Sequence, residues 1–260
     1  FPICIAATIL RIKFVVYENN LLIGKANKYL LPFTKKIFVS YKDLEGIPEK
    51  YRSKILVIGN IVREEIINLN INNTENKEMD SIKILVLGGS QAAKVFAEKL
   101  PRIFEKLKKS EIPIKIFQQC HNEQNDQLSN YYKKSEIDFE IFNFSDNIVH
   151  YYSKVNLVIT RSGASALGEL INAKLPFITI PLPTAADNHQ VKNAIYYKKR
   201  GFGYLIDEKD INSQLYGLIK SFFKDKSLIK NMLENQRQYS DKNIFKIINS
   251  HIEKITNEKN

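Results

Sequence analysis

From Ile82 onward the chain repeats one pattern, a short β-rich run followed by a helical stretch. "IKILVLG" (82–88) leads into a helix over about Gln91 to Leu107, "IKIFQ" (114–118) into a polar helix near Glu123 to Lys133, and "FEIFNF" (139–144) into a helix near Asp146 to Ser153. "VNLVIT" (155–160) precedes a helix from Ala164 to Ala173, "FITIP" (177–181) a helix near Asn188 to Lys199, and "YLI" (204–206) closes the series. Strands this short, separated by helices of ten or more residues, argue for a parallel sheet with helices on both faces. The expectation is an α/β chain whose larger part is one Rossmann-like domain.

Upstream, "IKFVVYENN" (12–20), "KKIFVS" (35–40) and "KILVIGN" (54–60) are further strand candidates, with a helix over about Ala26 to Leu31. Three strands do not close a doubly wound sheet. The Asn- and acid-rich tract "EIINLNINNTENKEMDS" (65–81) has loop composition. The domain expectation is therefore 1–62, a linker over 63–81, a nucleotide-binding domain over 82–240, and a final amphipathic helix within 241–260 packing back toward the first segment.

The longest uncharged runs, such as Phe1 to Leu10, fall short of the roughly 18 apolar residues of a spanning helix. "FPICIAATILRIKFVV" also lacks the residue order of a signal peptide and reads as a chain met in mid-domain. Cys4 and Cys120 belong to no CxxC pair, so neither a disulfide framework nor a zinc site is expected. The net charge of +11 is unevenly spread, with ten Lys or Arg against four acids in residues 1–62. By itself this fits nucleic acid, anionic lipid or a phosphate-bearing ligand.

The motifs narrow that choice. "LVLGGSQAAKVF" is a strand, Gly88-Gly89, Ser90-Gln91 and a helix, which is either an ordinary strand-to-helix turn or an anion site at a helix N-terminus. It is not GxGxxG, which disfavours a dinucleotide cofactor. "VITRSGASALGELI" repeats the geometry with Arg161, Ser162 and Gly163. Two such turns in one parallel sheet open on the same edge, where ligands of open α/β folds bind. Arg161 reads as a site residue or a solvent-facing cap, and Glu169 as an acceptor for a ribose diol or an exposed helical carboxylate.

"PLPTAADNHQVKNA" sets Asp187, Asn188, His189 and Gln190 at a helix start, with Asp187 a candidate N-cap. No orienting acid stands at a defined spacing from His189, which favours hydrogen bonding to sugar hydroxyls over a general-base role. Arg63 is a cation suited to a pyrophosphate. Phe144 and Ser145 either flank a planar base or, for the ring, belong to the core. Tyr17-Glu18-Asn19-Asn20 reads equally as site or turn. The nearest echo of a metal clamp, Asp138-Phe139-Glu140, lies on a strand and is weak. No metal or cofactor is expected.

Together these residues resemble the MurG family of bacterial glycosyltransferases, through "YENN", "GNIVR", "GGSQAA", "RSGA" followed by Glu169, and "DNHQVKNA". The resemblance implies a GT-B fold of two Rossmann-like domains with parallel sheets, the N-terminal one incomplete in this chain. It implies inverting transfer of N-acetylglucosamine from UDP-N-acetylglucosamine to lipid I (undecaprenyl-pyrophosphoryl-muramyl-pentapeptide), forming lipid II in peptidoglycan biosynthesis. The implied partners are those two substrates and the anionic cytoplasmic face of the inner membrane, visited peripherally, with no nucleic acid. Carried over, Phe144 and Ser145 hold the uracil, Glu169 the ribose, and Arg63 with Ser90 the pyrophosphate. Ser162 and Gly163, beside Arg161, line the phosphate turn. Gln91, His189 and Gln190 lie near the sugar, and Asn20 meets the donor.

Tyr17, Asn19, Ile61 and Ala92 depart from the family's His, Gln, Pro and Gly. The family's Gly-rich loop and its His would precede Phe1, so no general base is assigned, and a separate N-terminal polypeptide is one implied partner. Other readings are a different UDP-sugar-dependent GT-B enzyme, such as a lipid glycosyltransferase or an epimerase, or an inactive nucleotide-sugar-binding fragment. The isolated chain is expected to bind UDP weakly without turnover.

Overall fold

In this computed structural model residues 1–69 and 80–257 are described, residues 90–93 by their backbone alone. The chain forms two compact units, Phe1–Val62 with Ser240–Asn260, and Arg63–Tyr239.

The first unit opens with helix α1 (Pro2–Ile9), then β1 (Val15–Glu18), α2 (Lys25–Leu30), β2 (Lys36–Val39) and β3 (Ile55–Val57). The three strands pair in parallel in that order. The sequence signals no helix before Arg11, because a short apolar run has no decisive period. Proline at the first helical position and the Ala6-Ala7 pair favour the helix that forms.

Glu18 is the hub of the turn after β1. Its carboxylate, 3% exposed, accepts from the backbone N–H groups of Asn20 (3.0 Å) and Gly24 (2.7 Å) and from the side chains of Asn20 (3.2 Å) and Asn27 (3.0 Å). The "YENN" cluster thus shapes the entry to α2. Tyr17 shares its hydroxyl with Ser40 Oγ at 2.7 Å and accepts from the Ile61 N–H at 3.2 Å. Burial pushes that hydroxyl's pKa up.

The second unit runs α3 (Glu64–Ile67), β4 (Ile82–Leu87), α4 (Gly89–Lys109), β5 (Ile114–Gln119), α5 (Asn125–Lys134), β6 (Asp138–Phe142), α6 (Ile148–Tyr152), β7 (Leu157–Thr160), α7 (Ala164–Asn172), β8 (Phe177–Thr179), α8 (His189–Lys199), β9 (Tyr204–Leu205), α9 (Ile211–Lys224) and α10 (Ser227–Arg237). The tract expected as a linker thus carries one helical turn at its start, where Ile66 is fully buried. Helices α9 and α10 go beyond the sequence reading. Ile211, Leu215, Ile219 and Phe222 of α9 recur at helical spacing and are all buried.

The six strands are parallel in the order β6-β5-β4-β7-β8-β9. Strand order reverses between β4 and β7, and at such a point a doubly wound sheet opens a crevice at its carboxyl edge. The core stacks Ile82, Ile84 and Val86 of β4 against Phe96, Leu100 and Phe104 of α4. These strands are apolar on both faces because helices cover both.

The chain then returns to the first unit in α11 (Ile244–Asn257), where Ile244 and Ile248 pack with Phe38 and Ile58. The third strand candidate is shorter than expected because Gly59, at φ 95°, turns the backbone. A Cβ there would sit 2.1 Å from Asp241 Oδ1. Asn60 donates to the same carboxylate at 3.3 Å.

Candidate functional site

The switch point determines where the site forms. Leu87 and Thr160 are register partners on β4 and β7, so Gly88-Gly89 and Arg161-Ser162-Gly163 leave the sheet side by side. Gly88 precedes α4 and Gly163 precedes α7, and neither helix start is capped by a side chain. First-turn N–H groups have no intrahelical partner, and the helix dipole makes them attractive to an anion. Gly89 adopts φ 63°, a left-handed conformation that favours glycine, and a Cβ added at Gly89 or Gly163 would meet nothing within 4 Å. Both glycines border open space.

That space is a cleft of about 490 Å³ within the second unit. Nine residues singled out from the sequence line it: Arg63, Gly88, Gly89, Phe144, Ser145, Arg161, Gly163, Glu169 and Gln190. Phe144 is 77% exposed at the end of β6, so it is no core residue. Ser145 Oγ accepts from the Asn147 N–H at 3.2 Å and fixes the bend after β6.

Glu169 sits in α7 facing the cleft. Arg63 grips its carboxylate in a fork, Nε to Oε1 at 3.2 Å and Nη2 to Oε2 at 3.3 Å. The Tyr152 hydroxyl donates to Oε2 at 3.1 Å. Burial first, and the neighbouring Glu169 charge second, raise the Tyr152 pKa, so it stays a donor. Sequence reasoning missed Tyr152, whose only signal was its place at the end of a short helix. Gln119, which reaches from β5 to the Asn143 carbonyl at 3.1 Å, was missed as well.

Arg161 departs from the solvent-facing alternative. It is 7% exposed, donates to the carbonyls of Ile180 (3.0 Å) and Pro181 (3.1 Å), and pairs with Glu208 at 2.6 Å. Its guanidinium also lies 4.7 Å from the Phe96 ring centroid. Arg161 therefore borders the cleft as a clamp on the chain leaving β8. Ser162 is fully buried beneath the turn, and its Oγ has no hydrogen-bond partner among the described residues.

At the start of α8, Gln190 accepts from the Leu182 N–H at 3.0 Å, and His189 Nδ1 lies 2.8 Å from the Ala186 carbonyl oxygen. Asp187 is not the N-cap. Asn188 precedes the helix, without a side-chain cap, and both residues are left-handed at φ 51° and 54°. Asn20 lies in the first unit, bound to Glu18. The side chains of Ser90 and Gln91 lie outside the described residues. Asp138 pairs with Lys115 and Glu140 accepts from Tyr151, so both carboxylates have protein partners.

Comparison with known proteins matches residues 83–248 to the glycosyltransferase family 28 C-terminal domain. The chain is 36% identical over 99% of its length to the UDP-N-acetylglucosamine–N-acetylmuramyl-(pentapeptide) pyrophosphoryl-undecaprenol N-acetylglucosamine transferase of Pelagibacter ubique, spanning 71% of that protein. It is 38% identical over 80% of its length to the Rickettsia felis protein of the same name, spanning 60% of it. The crystal structure of Acinetobacter baumannii MurG shares the fold, with a TM-score of 0.80 at 23% identity over 97% of this chain and 70% of that one. The chain belongs to glycosyltransferase family 28, among the N-acetylglucosamine transferases that share this name.

Proposed function

We propose that this chain serves the inverting transfer of N-acetylglucosamine from UDP-N-acetylglucosamine to lipid I, the step that forms lipid II. The observation that carries the reading is the grouping, at one sheet switch point, of two uncapped helix N-termini, an arginine and a carboxylate held by Tyr152. A nucleoside diphosphate has matching parts. Its diol donates to Glu169, its phosphates accept from Arg63 and the turn N–H groups, and its base lies against Phe144 and Ser145.

In the reaction the acceptor hydroxyl gives up its proton to a general base, which is not assigned among these residues, and attacks the anomeric carbon from the side opposite the diphosphate. The bond from that carbon to the phosphate oxygen breaks, and its electron pair leaves with UDP. Groups already aimed at the diphosphate stabilise the growing charge without reorganising, which is where such sites gain most. The reading assigns the sugar to Gln190, which lines the cleft, and to the adjacent His189, which does not line it. Lipid I is held in the bilayer by its tail, so the protein works peripherally at the cytoplasmic membrane face, and the basic first 62 residues suit anionic headgroups. No helix among the described residues is long and apolar enough to cross a membrane.

Calorimetric titration with UDP, ADP and GDP tests the donor side. UDP is expected to bind more tightly than both. Equal affinity for all three would remove the uridine assignment.

A further inference from the structure

Arg63 and Glu169 are the two charged groups that a nucleoside diphosphate would need separately, yet in this structure they hold each other. The fork from Arg63 covers both carboxylate oxygens, and Tyr152 takes a further position on Oε2. A carboxylate offers about four acceptor positions. A cis-diol brings two donors that seek the same edge as the fork. The diol and the guanidinium therefore compete.

Building on the proposed role of Glu169, we infer that Arg63 is a specificity-determining residue that reserves the diol site for ligands carrying phosphate. A phosphorylated nucleotide offers the guanidinium a new anionic partner at the neighbouring helix N-termini, so Arg63 exchanges one charge-assisted contact for another and frees Glu169. A bare nucleoside must open the ion pair and gives Arg63 nothing in return. The side chains of Arg63 and Glu169 are 47% and 20% exposed, so the pair is weak enough to exchange.

Three ligands separate the effects: UDP, uridine, and 2′,3′-dideoxyuridine, which lacks the diol. Affinities would be measured by NMR titration against the wild-type chain and against Arg63→Met and Arg63→Gln. Arg63 is half exposed and makes no side-chain cap, so both variants should fold, which their thermal transitions would verify. Arg63→Met is expected to bind uridine about three-fold more tightly, the scale of a partly exposed ion pair, and UDP at least ten-fold more weakly. Dideoxyuridine should gain nothing. Added salt should tighten uridine on the wild type by screening the pair, and leave Arg63→Met unaffected.

Uridine affinity that is unchanged or weaker in both variants overturns the inference. So does an equal gain for dideoxyuridine, or uridine that stays undetectable in all three proteins while UDP binds the wild type. Failure of the underlying reading looks different, because Glu169→Gln would then leave the affinity for UDP itself unaltered.

Discussion

Arg161 and Glu208 form a 2.6 Å ion pair whose members are 8% and 20% exposed, across 47 residues of sequence. The pair joins the turn after β7 to the turn before α9, while Nη1 donates to two carbonyls after β8. Arg161→Ala would leave a mostly buried carboxylate and two carbonyls without their partner. Its expected cost is about 3 to 5 kcal/mol of stability by chemical denaturation. Arg161→Leu combined with Glu208→Leu should cost less than either single change, since no charge is stranded. Equal losses in the single and double variants would refute this account.

Glu169→Ala removes the acceptor proposed for the ribose. UDP affinity is expected to fall by about 1 to 3 kcal/mol in calorimetry, the scale of a charge-assisted hydrogen bond. An unchanged value would remove Glu169 from the site.

Two glycines predict opposite phenotypes. A methyl group at Gly163 meets nothing within 4 Å, and its backbone is ordinary, so Gly163→Ala should unfold near the wild-type temperature while intruding on the turn proposed for the phosphates and weakening UDP. A Cβ at Gly203 would lie 2.2 Å from the Phe177 ring and 2.8 Å from its carbonyl oxygen. Gly203→Ala should cost about 1 to 3 kcal/mol through overpacking. Thermal melts with and without UDP separate the two.

Alkaline pH tests the buried phenols. Desolvation, with Glu105 and Glu140 as hydrogen-bond partners, raises Tyr131 and Tyr151 to about 12, and burial raises Tyr17, Tyr132 and Tyr152 as well. In the unfolded chain these phenols ionise near about 10. Native protein then binds more protons than unfolded protein above that pH, so stability is full below about 10 and declines as pH climbs toward 12. Absorbance at the phenolate band should show a late-titrating class that vanishes in denaturant. One uniform transition near 10 in the native protein would contradict it.

The parallel sheet was legible because the chain alternates strand-length apolar runs with helical stretches, and because Gly88-Gly89 and Ser162-Gly163 stop two strands at one edge. The spacing of Ile211, Leu215, Ile219 and Phe222 carries a helical signal for α9 as well. Side-chain fate was less accessible. Arg161 looks the same in sequence whether it meets solvent or Glu208, since its partner lies far along the chain. Likewise nothing local to Tyr152 announces Glu169. Glu18 reads as a polar residue at a strand end until Gly24 and Asn27 are seen folded around it. Sequence patterns report local periodicity, whereas burial of charge depends on pairings that only tertiary structure supplies.

The first unit is built from two separated stretches, and the carboxylate that packs against Gly59 and accepts from Asn60 belongs to Asp241. During synthesis the ribosome therefore delivers Gly59 long before its counterpart. Residues 63–239 are continuous and can fold as they emerge. The three-stranded sheet has a core of its own on one side, in Val16, Leu31, Ile37 and Val39, but its Phe38 face gains its cover only when Ile244 and Ile248 arrive.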